Sequence, residues 1–379
     1  MGIKTCQVKK GTVMKINNLM IRCISALLCL IMLVPLCTSC AELTEFLEAG
    51  SNKDQDESDH SNSQNTDDTP VTVEKKGGVY TVLIVTESKT PGTLASVFVC
   101  SFDTVESKTV SFLQIPLRIY TNNEYVTVGN TYSQTYGKAV NDGDTAERAR
   151  DKGINALASL IEKHFCIYVD YYLYTDPARI GSLVEKLGGI EFNLPYTLAL
   201  SNGETLIAGK QTLSGAQTEL LMSYPNFSEN AVMNLHKAIV SAIYAKAKAN
   251  ISNEMVSLFV MEIRSTLVTD IPSKNGEDIF FVRQLITCSS ASVRFTEFST
   301  QPCAVASGMV EIINKAGALE LINSFLGLYK EGLKDSELDA QGVLTDAGNQ
   351  AVNTIYSAGK KTERIYTSSD IDGGSLPMT

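Results

Sequence analysis

Apolar and polar positions along the chain follow two different periods from about residue 80 onward. Runs rich in β-branched and aromatic residues, such as "YTVLIVTES" and "TVSFLQIP", predict strands. Segments with apolar residues three and four positions apart, such as "INALASLIEKHF", predict helices. The predicted strands cover 80–88, 96–102, 109–116, 166–175, 190–196, 278–286 and 292–299. The predicted helices cover 144–165, 176–189, long stretches of 213–268, and 308–329.

This alternation of strands and helices predicts an α/β or α+β sandwich around one mixed sheet. We expect that domain to span residues 78–330. Beyond it, the C-terminal segment 331–379 contains "TDAGNQAVNTIYSAG" (345–359), which predicts one amphipathic helix closed by Gly359. The residues after that helix are predicted to form a polar tail.

The N-terminus combines basic residues with a short apolar run. The basic residues are Lys9, Lys10, Lys15 and Arg22. They precede "CISALLCLIMLVPLC" (23–37), which is shorter than the roughly 20 residues that a spanning helix needs. Such a pair is typical of a secretory signal. The run ends in "LCTSC", similar to a bacterial lipobox that would acylate Cys40, with Cys37 where leucine is usual. Residues 1–40 are therefore predicted to be a signal and lipobox segment, with an uncleaved signal anchor as the alternative.

The next segment, residues 41–77, is predicted to be an acidic disordered linker. Its stretch "GSNKDQDESDHSNSQNTDDTP" (50–70) has almost no apolar residue, so it cannot bury enough surface to offset the entropy of ordering. Together with the anchor, it indicates a domain tethered at the extracytoplasmic face of a bacterial cell membrane. In an exported protein Cys288 and Cys303 are able to pair, and the sequence leaves that pairing open.

Composition excludes several classes of function. The chain of 379 residues has a formal net charge of −10, so a nucleic-acid partner is not expected. Its three histidines, His60, His164 and His236, are far apart, and no Cys/His set has the spacing of zinc ligands. We find no P-loop, GxSxG or GxGxxG motif either. Metalloenzymes and catalytic triads of the common types are therefore disfavoured.

Three segments in order resemble the LytR-CpsA-Psr (LCP) family of cell-envelope proteins. The stretch "IYVDYYLYTDPARIGSLVEKLGGIEFNLPY" is similar to that family's strand with Asp-Tyr-Tyr, short helix and Leu-Gly-Gly-Ile strand. The stretch "LIAGKQTLSGAQ" (206–217) resembles its turn and helix, and "VSFLQIP" falls where the family has a strand ending in Ser-Ile-Pro-Arg-Asp. The resemblance holds from about Tyr80 to Tyr329.

The resemblance implies a single α/β/α sandwich with a central mixed β-sheet and an apolar cavity. Members of the family resemble phosphotransferases that attach glycopolymers carried on polyprenyl pyrophosphate to peptidoglycan. In them, arginines neutralise the pyrophosphate and carboxylates hold Mg²⁺. The implied partners are polyprenyl-linked glycan or polyprenyl lipid, peptidoglycan, and the membrane through the N-terminal anchor. Mg²⁺ is expected if the protein is active, and no cofactor otherwise.

The sequence departs from the family at the charged positions. Glu87 follows the first strand, where the family has Asp then Arg, and it is a candidate metal ligand or a plain strand-end carboxylate. Leu117 holds an arginine position, and Arg118 comes one residue late. Because a one-residue shift turns a side chain to the other face of extended chain, Arg118 replaces the missing arginine only if the backbone after Pro116 compensates. Otherwise it is a solvated loop residue.

Other positions of the family's charged motifs also lack the expected residue. They are occupied here by Thr93, Ala95, Ser223 and Glu229, with Lys237 as the only nearby cation. No catalytic residue is therefore assigned, and Arg118 and Glu87 remain the candidates. Losing one such charge commonly costs a few kcal/mol of transition-state stabilisation, so losing several disfavours efficient catalysis.

Three hypotheses follow from these departures. The favoured one is a degenerate LCP fold, a pseudoenzyme that binds lipid-linked glycan in cell-envelope assembly with weak or no catalysis. The second is an active LCP phosphotransferase with a rearranged site. The third is an unrelated lipid-anchored extracellular binding module that shares the sandwich. Convergence of cationic side chains at the mouth of an apolar tunnel would favour the second.

Overall fold

A computed structural model describes residues 73–121, 127–252, 255–273, 276–305, 308–338 and 359–378. These residues belong to one compact unit, Pro70–Thr379. The predicted signal segment, Cys40, most of the predicted linker, and the predicted helix 345–359 apart from its last residue lie outside the described residues. Among the described helices, none is both long and apolar enough to cross a membrane.

The central element is a seven-stranded mixed sheet, in the order β13-β10-β3-β2-β1-β4-β9. Its strands are β1 (Val79–Glu87), β2 (Leu94–Asp103), β3 (Val110–Gln114), β4 (Tyr171–Thr175), β9 (Val268–Thr269), β10 (Val293–Glu297) and β13 (Tyr366–Thr367). β1 pairs with β4, and β3 with β10, in parallel, whereas the other neighbours are antiparallel. Three two-stranded sheets lie outside it: β5 (Ile190–Leu194) with β8 (Gly209–Leu213), β6 (Leu198–Ala199) with β7 (Thr205–Leu206), and β11 (Thr300–Val305) with β12 (Gly308–Ile313).

Helices cover both faces of the central sheet. One face packs on α1 (Val128–Asn141), α2 (Ala146–Phe165), and α8 (Lys315–Glu320) with the π-helix Leu321–Leu326 that continues it. The other packs on α3 (Pro177–Lys186), α4 (Gly215–Met222), α5 (Glu229–Asn250), α6 (Val256–Thr266) and α7 (Glu277–Thr287). The predicted α/β/α sandwich with a mixed sheet is therefore confirmed.

Side-chain caps start the helices where the sequence predicts them. Thr145 caps α2 by accepting from the backbone N–H of Arg148, and Asp176 caps α3 with Pro177 at its first position. Ser214 and Gln217 form a reciprocal capping box at the start of α4. These local hydrogen bonds pair backbone N–H groups at the helix starts that have no partner within the helix.

Two predictions of secondary structure in the second half of the chain are wrong. Residues 278–286, predicted as a strand, lie in α7, where the exposed positions Phe280, Arg283 and Thr287 have helical spacing. The predicted helix 308–329 begins as β12 and becomes helical only at Lys315. In both places aromatic and β-branched residues fit either period, so packing on neighbouring elements decides the structure.

The predicted polar tail also forms part of the domain. β13 pairs with β10, and Ile371, Leu376 and Met378 are buried against the core that contains β5 and α5. The apolar residues of this segment are too widely spaced among Gly, Ser and Asp to show a period. These residues are buried in a groove formed by elements that are distant in sequence, so the local pattern of apolar and polar residues does not predict their burial.

Cys288, one of the two cysteines considered for a disulfide with Cys303, is a thiol. Its Sγ donates to the backbone carbonyl of Lys108 at 3.2 Å. Burial raises the pKa of the Cys288 thiol, with nearby Lys248 acting in the opposite direction. The structure therefore contains no Cys288–Cys303 bond.

Candidate functional site

One face of the central sheet borders an apolar cavity of about 210 Å³. Val82, Ile84 and Thr86 of β1 line it, because side chains of a strand alternate between the two faces. β2, β3 and β4 contribute alternate residues in the same way, and helices α5, α6 and α7 close the cavity from the other side. Since its lining is mostly aliphatic and aromatic, the cavity suits a hydrocarbon chain.

A row of polar side chains crosses this sheet face at the end where β1 and β4 finish. Thr86 pairs with Ser96 of β2 and with Thr175 of β4, and on the neighbouring strands Gln114 pairs with Glu297. Cross-strand partners share a face, so all five side chains belong to the face that borders the cavity. The apolar surface of the sheet therefore ends at a polar border.

A more open cleft of about 470 Å³ adjoins that border. It is lined by the loop after β1, the first turns of α1, the end of α4 and the start of α5. Met222, the last residue of α4, lines both the cleft and the cavity. Ala95 also lines the cleft, and the next residue, Ser96, belongs to the polar row. A polar cleft that adjoins an apolar cavity can hold the head group and the chain of one amphiphile.

Arg118, a candidate from the sequence, lies at the rim of the cleft. Its Nη2 donates to the carbonyl of Met309 at 3.2 Å, and its Nε lies 3.6 Å from the Glu229 carboxylate. Burial raises the pKa of the Glu229 carboxyl, while Arg118 lowers it. The guanidinium is half-exposed, and the Glu229 carboxylate balances its positive charge. Apart from Lys89, it is the only basic side chain among the described residues that line the cleft.

Glu87, the other candidate, faces the opposite helical layer. Its Oε1 accepts from the Gly92 N–H at 2.5 Å and from the Tyr132 hydroxyl at 3.1 Å, and its Oε2 accepts from the Tyr174 hydroxyl at 2.5 Å. The structure therefore does not bring Glu87 and Arg118 into one site.

The same contacts test whether Glu87 fits the Mg²⁺ that the family resemblance implies. Mg²⁺ prefers carboxylate oxygens that keep lone pairs for it, together with waters and phosphate. Both oxygens of Glu87 already accept hydrogen bonds inside the protein, and the described residues contain no group of three or more His, Cys, Asp or Glu placed to hold a metal. The donor set around Glu87 does not fit the ion.

Lys237, the cation that the sequence places near the family's arginine positions, is buried and paired. Its Nζ lies 3.2 Å from Glu297 and 3.5 Å from the Asn234 Oδ1. The ion pair lies at the polar row of the sheet, so this positive charge is neutralised within the protein. Ser223, which replaces a family arginine, lines the cleft with Thr93.

Sequence reasoning missed His236. This residue of α5 lines the cavity, is 2% exposed, and its Nδ1 lies 2.7 Å from the Ser96 hydroxyl. Its Nε2 is buried and has no hydrogen-bond partner among the described residues. Burial lowers the pKa of His236 to about 4, so the imidazole is neutral at pH 7. The helical pattern predicts that this position is buried, but only the fold brings it to Ser96.

Comparisons with solved structures support the fold. B. subtilis TagV aligns with a TM-score of 0.53 at 14% identity, covering 70% of this chain and 99% of that one. B. subtilis TagT aligns with a TM-score of 0.51 at 16% identity, covering 66% and 92% of the two chains. TagT bound to LI-WTA aligns equally well, with a TM-score of 0.51 at 15% identity, covering 66% and 90% of the two chains.

The sequence itself matches no protein-family model, and no curated protein matches it. The likeness is therefore one of architecture: the mixed sheet, the two helical layers and their order along the chain. TagV and TagT are LCP family proteins. The chain described here accordingly has an LCP-like fold.

Proposed function

We propose that this protein binds a polyprenyl-linked glycan or a polyprenyl lipid as a membrane-tethered component of cell-envelope glycopolymer assembly. The observation that carries the proposal is the junction at Met222, where the apolar cavity adjoins the polar cleft. The isoprenoid chain occupies the cavity and the head group lies in the cleft. TagT bound to LI-WTA, a neighbour with the same fold, supports a partner of the glycopolymer type.

The cleft favours binding over catalysis. Phosphoryl transfer requires several fixed positive charges around the phosphates, and bidentate guanidinium groups supply them best. Here the charge of Arg118 is paired with the Glu229 carboxylate, and the charge of Lys237 is paired with the Glu297 carboxylate. We therefore propose weak or no transfer to peptidoglycan, with the apolar chain contributing most of the affinity at about 0.8 kcal/mol per buried methylene.

The proposed location is the extracytoplasmic face of the bacterial cell membrane, with Cys40 as the lipid-bearing N-terminus. The basic and apolar N-terminal segment and its "TSC" ending support this proposal. Mass spectrometry of the protein extracted from membranes tests it. A Cys40→Ala variant should remain unprocessed, and an unmodified Cys40 that is still preceded by the basic and apolar segment in the wild type would contradict it.

Titration of the purified domain with polyprenyl phosphate and polyprenyl pyrophosphate, with and without Mg²⁺, tests the binding. We expect weak dependence on Mg²⁺ and less than about a tenfold change in affinity for Arg118→Ala, or about 1.4 kcal/mol. A strong Mg²⁺-dependent preference for pyrophosphate that Arg118→Ala abolishes would instead favour an active transferase.

A pair of substitutions on α5 tests the cavity itself. Val240 lines the cavity, whereas Ala245 is an exposed residue of the same helix. Val240→Trp fills space that the chain needs and should weaken binding of polyprenyl phosphate at least about tenfold, since several methylenes lose their site. Ala245→Trp is the matched control and should bind as the wild type does. Equal affinities for the two variants would exclude the cavity as the lipid site.

A further inference from the structure

At the boundary between the cavity and the cleft, the Nε2 atom of His236 has no hydrogen-bond partner among the described residues. His236 is 2% exposed, and in an interior of this kind a polar atom without a partner destabilises the fold. Its Nδ1 is engaged by Ser96, and its Nε2 has no partner among the described residues. Buried polar groups in folded proteins are nearly always paired, so an unpaired one that lines a cavity indicates that a water or a ligand pairs with it there.

The surroundings of His236 place that partner at the junction of head group and chain. Ser96 lies near the start of β2, before the residues of that strand that line the cavity, and it follows Ala95, which lines the cleft. His236 itself lines the cavity, as does Met222, the residue shared by both spaces. His236 therefore lies at the end of the cavity that adjoins the polar cleft.

We propose that His236 forms a ligand subsite, in which its Nε2–H donates a hydrogen bond to an anionic phosphate oxygen of a polyprenyl phosphate. The subsite rests on the proposed function, because the ligand is the lipid assigned there. The 2.7 Å contact between the Ser96 hydroxyl and Nδ1 is compatible with either donor, and in this proposal the hydroxyl is the donor, which leaves the proton on Nε2. Burial lowers the pKa of His236 to about 4, so the ring acts as a neutral donor and not as a cation.

The hydrogen bond from His236 compensates in part for the phosphate-binding arginines that the cleft lacks. A neutral donor fixed in an apolar environment interacts strongly with an anionic oxygen, since little water competes for either group. It is also directional, because the ring is held between α5 and β2 by the 2.7 Å contact to Ser96. The protein therefore recognises the lipid–phosphate linkage through geometry, whereas binding by converging arginines would rely on charge.

Two substitutions of His236 separate its two nitrogens. His236→Asn keeps an acceptor for Ser96 but has no donor at the position of Nε2. His236→Gln places an amide N–H near the position of Nε2 but gives up the contact to Ser96. We expect His236→Asn to weaken binding of polyprenyl phosphate about tenfold and His236→Gln to stay within about threefold of the wild type. An isoprenoid hydrocarbon of matching length should bind all three proteins equally.

Imidazole NMR of the full chain supplies a second readout that does not depend on the stability of a variant. The chain has only three histidines, so the signals of His236 can be assigned by substitution. In the free wild type we expect the Nε2–H tautomer, and addition of polyprenyl phosphate should shift the Nε2 resonance while the hydrocarbon leaves it unchanged. An Nδ1–H tautomer would overturn the proposal.

The outcomes distinguish the subsite from the function on which it rests. If the wild type and His236→Asn bind polyprenyl phosphate with equal affinity, the subsite is refuted while lipid binding stands. If His236→Asn also loses the hydrocarbon, the residue shapes the cavity and is no phosphate donor. If the wild type binds neither lipid, both the subsite and the proposed function are refuted.

Discussion

Glu87 is held as a structural acceptor by three protein donors. The side chain is 8% exposed, and the two tyrosine hydroxyls that donate to it come from α1 and β4. Burial, together with the nearby carboxylate, raises the pKa of both Tyr132 and Tyr174, so both hydroxyls remain protonated donors. The carboxylate therefore ties the end of β1 to the helical layer that lies away from the cavity.

Removal of that acceptor should destabilise the fold without affecting ligand binding. Glu87→Ala leaves two buried hydroxyls without their partner, and we expect a loss of about 1–3 kcal/mol in the free energy of unfolding, measured by urea denaturation. Glu106→Ala is the matched control. Glu106 is exposed and paired with Lys76, so its loss should change stability by less than about 0.5 kcal/mol. Equal midpoints for the two variants would disprove the structural role of Glu87.

His236 should make the stability of the domain depend on pH. Burial lowers its pKa from 6.5 in the unfolded chain to about 4 in the folded protein. Between those values the unfolded state binds more protons, so the contribution of His236 is complete above pH 6.5 and is lost as the pH falls toward 4. The loss amounts to about 3 kcal/mol for this one group.

Urea denaturation at a series of pH values checks this dependence. His236→Asn should flatten the slope between pH 6.5 and 4, because the amide does not titrate. His60→Asn, in the predicted acidic linker, is the control and should keep the slope of the wild type. An unchanged slope in His236→Asn would show that folding does not shift the pKa of the ring.

At the scale of elements, the position of α4 depends on two glycines. A Cβ on Gly215 would lie 2.2 Å from the carbonyl oxygen of Gly181 in α3, and a Cβ on Gly181 would lie 2.7 Å from the carbonyl oxygen of Gly215. The backbones of the two helices therefore touch, which only glycine permits. This contact places Met222, at the far end of α4, at the junction of cavity and cleft.

Gly181→Ala should push α3 and α4 apart. We expect a loss of about 1–3 kcal/mol in the free energy of unfolding from overpacking, together with weaker binding of polyprenyl phosphate because Met222 moves. Gly137→Ala in α1 is the matched control: nothing lies within 4 Å of its added Cβ, so the helix should gain up to about 1 kcal/mol. Thermal unfolding of both variants checks the difference, and a neutral Gly181→Ala would contradict the close contact.

At the scale of the whole molecule, the C-terminal segment completes the core. Leu376 is 3% exposed, and the Asn234 amide of α5 donates to the carbonyl of Pro377 at 2.8 Å. The hydroxyl of Tyr196 donates to the carbonyl of Met378. The last residues of the chain therefore join β5 and α5 to the edge strand β13, although they are distant from both in sequence.

Substitution of Leu376 tests that role. Leu376→Ala leaves a cavity in the core and should lower the free energy of unfolding by about 2–5 kcal/mol, nearer the lower value because a chain end relaxes more readily. Ile365→Ala is the control in the same segment: its side chain is 46% exposed, so the change should stay within about 0.5 kcal/mol. If the two variants unfold alike, residues 366–378 do not stabilise the domain.

The sequence by itself determined the elements whose signals are local. β1, β2 and β3 are apolar runs of strand length, and α2, α3 and α4 begin with capping residues, so their identity follows from nearby residues. The sandwich architecture followed from the alternation of strands and helices, and the LCP-like fold followed from the resemblance of three segments to that family. Glu87 is the last residue of β1 and Arg118 lies in the turn after β3, but the sequence did not determine the surroundings of either.

Only the tertiary structure decided which side chains meet. Residues 278–286 form α7 and residues 308–313 form β12 because packing chose between two periods that their apolar residues fit equally. Glu87 is buried among tyrosines, and His236 meets Ser96 across 140 positions of sequence. The pattern of apolar and polar residues in a segment shows which of its faces is buried. It does not show which distant residue that face contacts. For that reason the cavity was foreseen only through a family resemblance, and its polar boundary was not foreseen at all.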